Sequence, residues 1–175
     1  MSGERRARII ALLQESERPV TGADLATRLG VSRQVIVQDI ALLRAQGAGV
    51  VATPLGYMLA KRLAPTALRA VLACRHTYET TEDELLTMVD LGLTVVDVVV
   101  EHPIYGEIRG LLALESRADV RRFLDRLRES QASLLSALTK GVHLHTVEAR
   151  RPEALAQARA ELSAKGYLLQ DSGES

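Results

Sequence analysis

The sequence predicts an α+β protein, with a winged helix-turn-helix at its N-terminus followed by a ferredoxin-like domain. Two observations support this fold class. Three short helical patterns and a hairpin pattern occupy residues 1–62. Residues 63–175 then alternate between strand and helix patterns in the order β-α-β-β-α-β, which is the split βαβ arrangement. We therefore expect two domains, 1–62 and 63–175.

The composition excludes several classes of protein. The 175 residues are 47% hydrophobic and 25% charged, as in ordinary globular proteins, and this excludes a disordered chain. No apolar run approaches the roughly 18 residues that a membrane-spanning helix needs. The N-terminus is too charged for a secretory signal. A cytoplasmic protein without membrane contact is expected.

The charges divide unevenly between the two parts of the chain. Residues 1–64 carry nine basic and five acidic side chains, whereas residues 65–175 carry 13 basic and 17 acidic ones. A basic N-terminal part indicates a polyanion as the partner of that part alone.

The helix-turn-helix prediction depends on two caps and a tight turn. An amphipathic helix over residues 4–15 comes first. Thr21 is expected to cap a second helix over residues 22–29, and Ser32 to cap a third. The residues between them, 30–32, form a three-residue turn that contains glycine, as in helix-turn-helix motifs.

The third helix sorts its side chains into a core face and an outer face. Ile36, Ile40 and Leu43 recur at helical spacing and should face the core. The outer residues lie near the N-terminus of the helix, the part that a recognition helix places against base edges. Gln can pair with adenine, Arg with guanine, and Val can contact a thymine methyl group. The predicted DNA-binding residues are Ser32, Arg33, Gln34, Val37 and Gln38. Simple solvation of an exposed helix is the alternative, which the cap and the turn together disfavour.

A wing is predicted after the third helix. Residues 50–52 and 57–59 resemble two short strands joined by residues 53–56. The tip carries Leu55 instead of a basic residue, so a weak grip on the DNA backbone is expected. Residues 61–65 form a short basic connector to the second domain.

The second domain is predicted to contain four main strands and three helices. The strands are expected at 68–75, 94–101, 108–114 and 142–148, the helices at 82–91, 117–129 and 152–165, and a last short strand at 167–169.

All four histidines lie in this second domain. His143 and His145 are two residues apart on a strand and therefore project from the same face. Because the first and last strands of the predicted sheet are neighbours, His76 can approach this pair, and Glu84 on the next helix completes the set. Three imidazoles and a carboxylate suit nickel, zinc or iron. The spacing alone equally allows His143 and His145 to be polar surface residues.

A second candidate site lies in the turn 101–107. His102 and Tyr105 offer hydrogen-bond donors to an anionic ligand, although the turn can also be purely structural. Cys74 is the only cysteine, which excludes an intrachain disulfide. We interpret it as a small buried hydrophobe.

Five motifs together resemble the niacin-responsive transcription repressors, a family that joins a winged helix-turn-helix to a three-histidine (3H) domain. They occur in the same order over roughly residues 5–169, and they are Thr21-Gly22-Ala23-Asp24-Leu25-Ala26, the run from Val31 to Ile40, Gly56-Tyr57, His102-Pro103-Ile104-Tyr105-Gly106 and Gly141-Val142-His143-Leu144-His145-Thr146.

The resemblance implies a homodimeric repressor that binds operator DNA of genes for NAD synthesis or niacin uptake. Nicotinic acid would be the co-repressor, sensed by the C-terminal domain. A metal site is implied as well, with nickel as the first choice. It carries over to His76, Glu84, His143 and His145.

Two other functions fit some of these features. In a metal-responsive regulator the metal itself would be the signal. A metal-dependent enzyme fused to a DNA-binding module would use the cluster to activate water. Apart from Glu107, no separate general acid or base is evident, so an enzyme is not expected. A biotin-ligase repressor shares the N-terminal module, but this chain lacks its length and its ligand loop.

Overall fold

The chain divides into two compact units, Met1–Ala64 and Pro65–Ser175, in a computed structural model that describes residues 2–63 and 68–170. The predicted connector, 61–65, extends beyond the described residues, and so does the polar tail after Gln170. Among the helices of the described residues, none combines the length and apolarity that crossing a bilayer requires.

The N-terminal unit is a winged helix-turn-helix, as predicted. Its helices are α1 (Ser2–Glu15), α2 (Gly22–Leu29) and α3 (Arg33–Ala45), and its hairpin pairs β1 (Val50–Thr53) with β2 (Gly56–Leu59). Both predicted caps are present. Thr21 Oγ1 accepts a hydrogen bond from the Asp24 amide at 3.1 Å, and Ser32 Oγ accepts one from the Val35 amide at 3.3 Å.

The wing is attached to the residue that precedes the cap of α2. Val20 and Tyr57 exchange two main-chain hydrogen bonds of 2.8 Å. Gly56 permits this contact, because its φ is +135° and a Cβ atom there would lie 2.6 Å from the Val20 carbonyl. Leu55, at the tip of the wing, is buried, so its side chain packs inside the unit and is not exposed to solvent.

Asp39 is a buried acid that fastens α1 to α3. Only 4% of its side chain is exposed, and its carboxylate lies 2.5 Å from Arg5 Nε and 3.6 Å from an Arg6 guanidinium nitrogen. Two of the basic residues of the N-terminal unit are therefore paired within the unit.

We expect Asp39→Asn to loosen α1 by about 1–3 kcal/mol, because both arginines lose their charged partner. Hydrogen exchange of the α1 amides should accelerate accordingly. Glu17→Gln removes an exposed acid of the same unit and should leave exchange in α1 unchanged. Equal exchange in the two variants would show that the Asp39 ion pairs contribute nothing to the stability of α1.

The C-terminal unit has the predicted order of elements. The strands are β3 (Leu68–Arg75), β4 (Leu93–His102), β5 (Gly106–Leu114) and β6 (Val142–Ala149), and the helices are α4 (Thr81–Asp90), α5 (Arg117–Ser130) and α6 (Pro152–Ala164). A short 3₁₀ helix, Leu135–Thr139, precedes β6 and was not predicted. The predicted last strand is a single bridge, in which Leu168 pairs with Cys74 of β3.

The sheet is antiparallel throughout, with the order β3-β6-β4-β5. The α+β class and the pairing of the first with the last strand are confirmed, but the strand order differs from a ferredoxin-like sheet, in which the first strand is internal. Here β3 lies at the edge of the ladder and β6 lies inside. Arg69 and Arg75 lie on the exposed face of β3, opposite the buried Leu72 and Cys74. β6 is mostly buried.

Candidate metal centre and DNA-reading face

Four side chains from three elements of the C-terminal unit meet in its interior. His76 follows the last residue of β3, Glu84 lies on α4, and His143 and His145 lie on β6. The exposed fraction is 9% for His76 and 3% or less for the other three. The structure thus brings the four predicted ligands together. His143 and His145 are buried, so the alternative that they are polar surface residues is wrong.

Each of the three imidazoles has its Nδ1 atom against a main-chain carbonyl. The distances are 2.8 Å from His76 to Thr77, 2.8 Å from His143 to Gly141 and 2.7 Å from His145 to Asp97. Because a carbonyl oxygen only accepts, Nδ1 carries the proton, and Nε2 of each neutral ring offers a lone pair. Metal-binding histidines typically donate their other ring nitrogen in this way.

The Nε2 atoms of the three histidines all lie close to the Glu84 carboxylate. Its oxygens lie 2.6 Å from Nε2 of His76, 3.2 Å from that of His143 and 3.5 Å from that of His145. Burial acts to raise the pKa of Glu84, but whenever the rings carry a second proton on Nε2, hydrogen bonds from His143, His145 and His76 outweigh burial and hold that pKa well below its ordinary value. The cluster therefore contains an ionised carboxylate with no exposed surface.

Two contacts fit a bound cation better than a network of protons. The Nε2 atoms of His143 and His145 lie 3.1 Å apart, although both rings donate from Nδ1 and their Nε2 lone pairs repel. Oε2 of Glu84 is buried and makes no hydrogen bond of acceptable geometry to any described residue, even with His76 Nε2 2.6 Å away. A divalent transition metal among these atoms would accept the Nε2 lone pairs and would give Oε2 a partner. Three imidazoles with a carboxylate suit such an ion.

Cys74 lies beside this cluster, a position that its place in the sequence does not predict. It faces His143 across the β3–β6 ladder and is completely buried. Potential ligand atoms of Cys74, Glu84 and His143 all lie within 4.8 Å of one another. Burial, followed by the charge of Glu84, raises the pKa of the Cys74 thiol. The predicted burial is correct, and the residue is in addition a neighbour of the candidate ligands.

Asp97 holds His145 through a β-bulge. Around Asp97, β4 contains one residue more than the facing segment of β6. The main-chain carbonyl of Asp97 accepts a hydrogen bond from Nδ1–H of His145, and the Asp97 carboxylate accepts one from the Thr146 amide at 2.9 Å. The same carboxylate forms an ion pair with Arg109 at 2.6 Å. The sequence shows Asp97 only as an acid within an apolar strand, so this role could not be predicted.

Comparisons with known proteins cover both units. Residues 5–58 match an HTH domain family, and residues 69–171 match the 3H domain family. The Thermotoga maritima protein described as a probable transcription repressor, NiaR, is 44% identical over 168 residues, which cover 96% of this chain and 95% of that protein. The transcription repressor NadR of Bacillus subtilis is 41% identical over 173 residues, covering 98% and 96% respectively. The chain belongs to the NiaR/NadR family of transcription repressors.

This membership establishes the class of protein. The repressor binds DNA through its helix-turn-helix unit, and it is not an enzyme, since its relatives are repressors. The predicted combination of a winged helix-turn-helix with a 3H domain is thereby confirmed.

The repressor presents the predicted reading face of α3 to solvent. Ser32, Arg33, Gln34, Val37 and Gln38 are all exposed. Ile36, Ile40 and Leu43 are buried on the opposite face. The predicted sorting of α3 is confirmed, and base contacts by the exposed residues stay a prediction.

The other predicted ligand residues of the repressor lie away from any buried cluster. Tyr105 is 75% exposed in the turn between β4 and β5. The Nδ1 atom of His102 accepts hydrogen bonds from the main-chain amides of Ile104 and Tyr105, at 3.1 and 3.3 Å. His102 therefore stabilises the turn, and any contact with a ligand stays a prediction.

Proposed function

We propose that this repressor controls genes of NAD synthesis or niacin uptake, with nicotinic acid as its co-repressor. The observation that carries the proposal is the pairing of a preorganised histidine and glutamate cluster in one unit with an exposed recognition helix in the other. The motifs that resemble niacin-responsive repressors run through both units. The site of action would be operator DNA in the cytoplasm.

The cluster is proposed to hold one divalent metal, with His76, Glu84, His143 and His145 as ligands. Nickel is the first choice because of the resemblance, and zinc and iron use similar donors. When bound, the ion supplies a Lewis-acidic cross-link between β3, α4 and β6. The protein's own part is to orient the three imidazoles through their main-chain carbonyl partners and to exclude water by burial.

A homodimer would place its two recognition helices in successive major grooves, about 34 Å apart. Nicotinic acid can favour this arrangement only through a higher affinity for the DNA-binding conformation. Since the candidate effector groups and the base-reading groups lie in different units, the connector at 61–65 would transmit the change.

Gln38→Ala should relax base preference, because a lost bidentate contact with adenine costs about 1–3 kcal/mol of discrimination. The measurement compares affinities for the operator and for random DNA at one salt concentration. Gln46→Ala removes an exposed glutamine just beyond the far end of α3 and should change neither affinity. If Gln38→Ala weakened both DNAs equally, Gln38 would serve general binding and not base recognition.

The proposal is tested by titrating nicotinic acid into the repressor and operator DNA at fixed salt and metal concentrations. We expect operator affinity to rise with nicotinic acid and affinity for random DNA to change little. A response to metal alone would favour the metal-responsive regulator, the one rival that the buried cluster supports. No response to nicotinic acid would overturn its role as co-repressor.

A further inference from the structure

A surface cavity of about 380 Å³ lies directly beside the histidine cluster. One side is formed by residues 76–78, which follow β3, and the other by residues between 132 and 141, which connect α5 to β6. His76 and Gly141 line the cavity and also take part in the cluster. Small-molecule sites measure about 300–1,000 Å³, so a molecule with a single ring fits.

The charge of the cavity favours an anion. Lys140 is the only Lys, Arg, Asp or Glu among the lining residues. It is exposed and forms no ion pair with the described residues. Its backbone is left-handed, with φ of +52°, where it ends the 3₁₀ helix Leu135–Thr139. An ammonium group that forms no ion pair with the described residues, in a cavity whose lining contains no acid, is a natural partner for a carboxylate.

The rest of the lining favours a flat, mostly apolar body. The ring of Tyr78, which is 55% exposed, offers a stacking surface. The rest of the wall consists of apolar side chains, from Ala132, Leu134 and Ala137, and of hydroxyl-bearing ones, from Thr77, Ser133 and Ser136.

We propose that this cavity binds a small aromatic monocarboxylate, with Lys140 pairing with the carboxylate and the ring lying against Tyr78. The inference rests on the proposed function, in which such an acid is the effector. It places the acid in the cavity and not at the turn that carries His102 and Tyr105. The His76 amide donates to the Gly141 carbonyl at 3.4 Å, so an occupant of the cavity contacts the main-chain segments that also hold the cluster.

The test is calorimetric titration of the metal-loaded full chain with nicotinate, benzoate and nicotinamide. Both carboxylates should bind, and uncharged nicotinamide should bind more weakly. Lys140→Gln keeps a flexible polar side chain but removes the charge, and it should raise the Kd of the carboxylates at least about tenfold. Lys140→Arg should restore most of the affinity. Arg150→Gln removes the same charge from an exposed residue outside the cavity and should have no effect.

A second variant tests the shape of the cavity independently of charge. Ala137→Leu fills it from an exposed position and should weaken both carboxylates while metal content stays unchanged. The inference is overturned if Lys140→Gln and Ala137→Leu bind like wild type, if Tyr105→Ala alone abolishes binding, or if neither carboxylate binds. Binding of benzoate but not nicotinate, dependent on Lys140, would support the cavity and reject nicotinic acid as the effector.

Discussion

We expect that replacing both His143 and His145 with alanine will abolish retention of the proposed metal by the repressor. Two of three imidazole ligands are lost, and His76 with Glu84 cannot hold a divalent ion in a buried site alone. Wild type should retain about one metal per chain, and the double variant should retain close to none. The measurement is metal content by mass spectrometry after dialysis.

His102→Ala is the matched control, since it removes the one histidine that lies outside the cluster. It should leave metal content at the wild-type level. Full occupancy in the double variant would place the metal elsewhere in the chain. Loss in His102→Ala would mean that the turn between β4 and β5 contributes to the site.

Gly141→Ala will disrupt the cluster although it removes no ligand. A Cβ atom at this position would lie 2.3 Å from the His76 carbonyl oxygen, which no ordinary packing tolerates. The φ of Gly141, +91°, also disfavours alanine. His76 must therefore move away from β6, and the Gly141 carbonyl that orients His143 moves too. We expect loss of metal affinity and destabilisation by at least about 2 kcal/mol.

Gly92→Ala separates backbone strain from collision. Gly92 has a similar φ, +88°, but a Cβ atom there would meet nothing within 4 Å. This variant should be mildly destabilised and should bind metal normally. If both variants lost metal equally, strain would be the cause and the close approach to His76 would be irrelevant. Metal content and thermal unfolding, measured on both proteins, decide between the two.

Local signals predicted most of the fold. The caps at Thr21 and Ser32, the apolar spacing in α3 and the alternation along β6 each depend on neighbours within a few residues. Such patterns locate helices and strands to within one or two positions. The same logic placed His143 and His145 on one face of a strand, and the pairing of β3 with β6 brought His76 to them.

The remaining features depend on contacts between distant segments, which no local pattern encodes. β6 lies inside the sheet because it pairs with both β3 and β4, which are distant from it in the sequence. The bulge at Asp97 depends on register between β4 and β6. Asp39 resembles a surface acid until α1 places Arg5 beside it. Cys74 becomes a neighbour of Glu84 only when α4 packs over the sheet.

The sequence does not reveal the cavity, for a related reason. The 3₁₀ helix Leu135–Thr139 is too short to show periodicity, so the segment between α5 and β6 reads as a plain loop. The turn with His102 and Tyr105, in contrast, is conspicuous in the sequence because it concentrates polar and ring-bearing residues.

Thermodynamic linkage tests the central claim, that effector binding in the C-terminal unit changes DNA affinity in the N-terminal unit. If nicotinic acid raises operator affinity by some factor, operator DNA must raise the affinity for nicotinic acid by the same factor. We would measure nicotinic acid binding to the metal-loaded repressor with and without saturating operator. The account predicts tighter binding with operator, by the factor seen in the reverse titration. Equal affinity in the presence and absence of operator would contradict it.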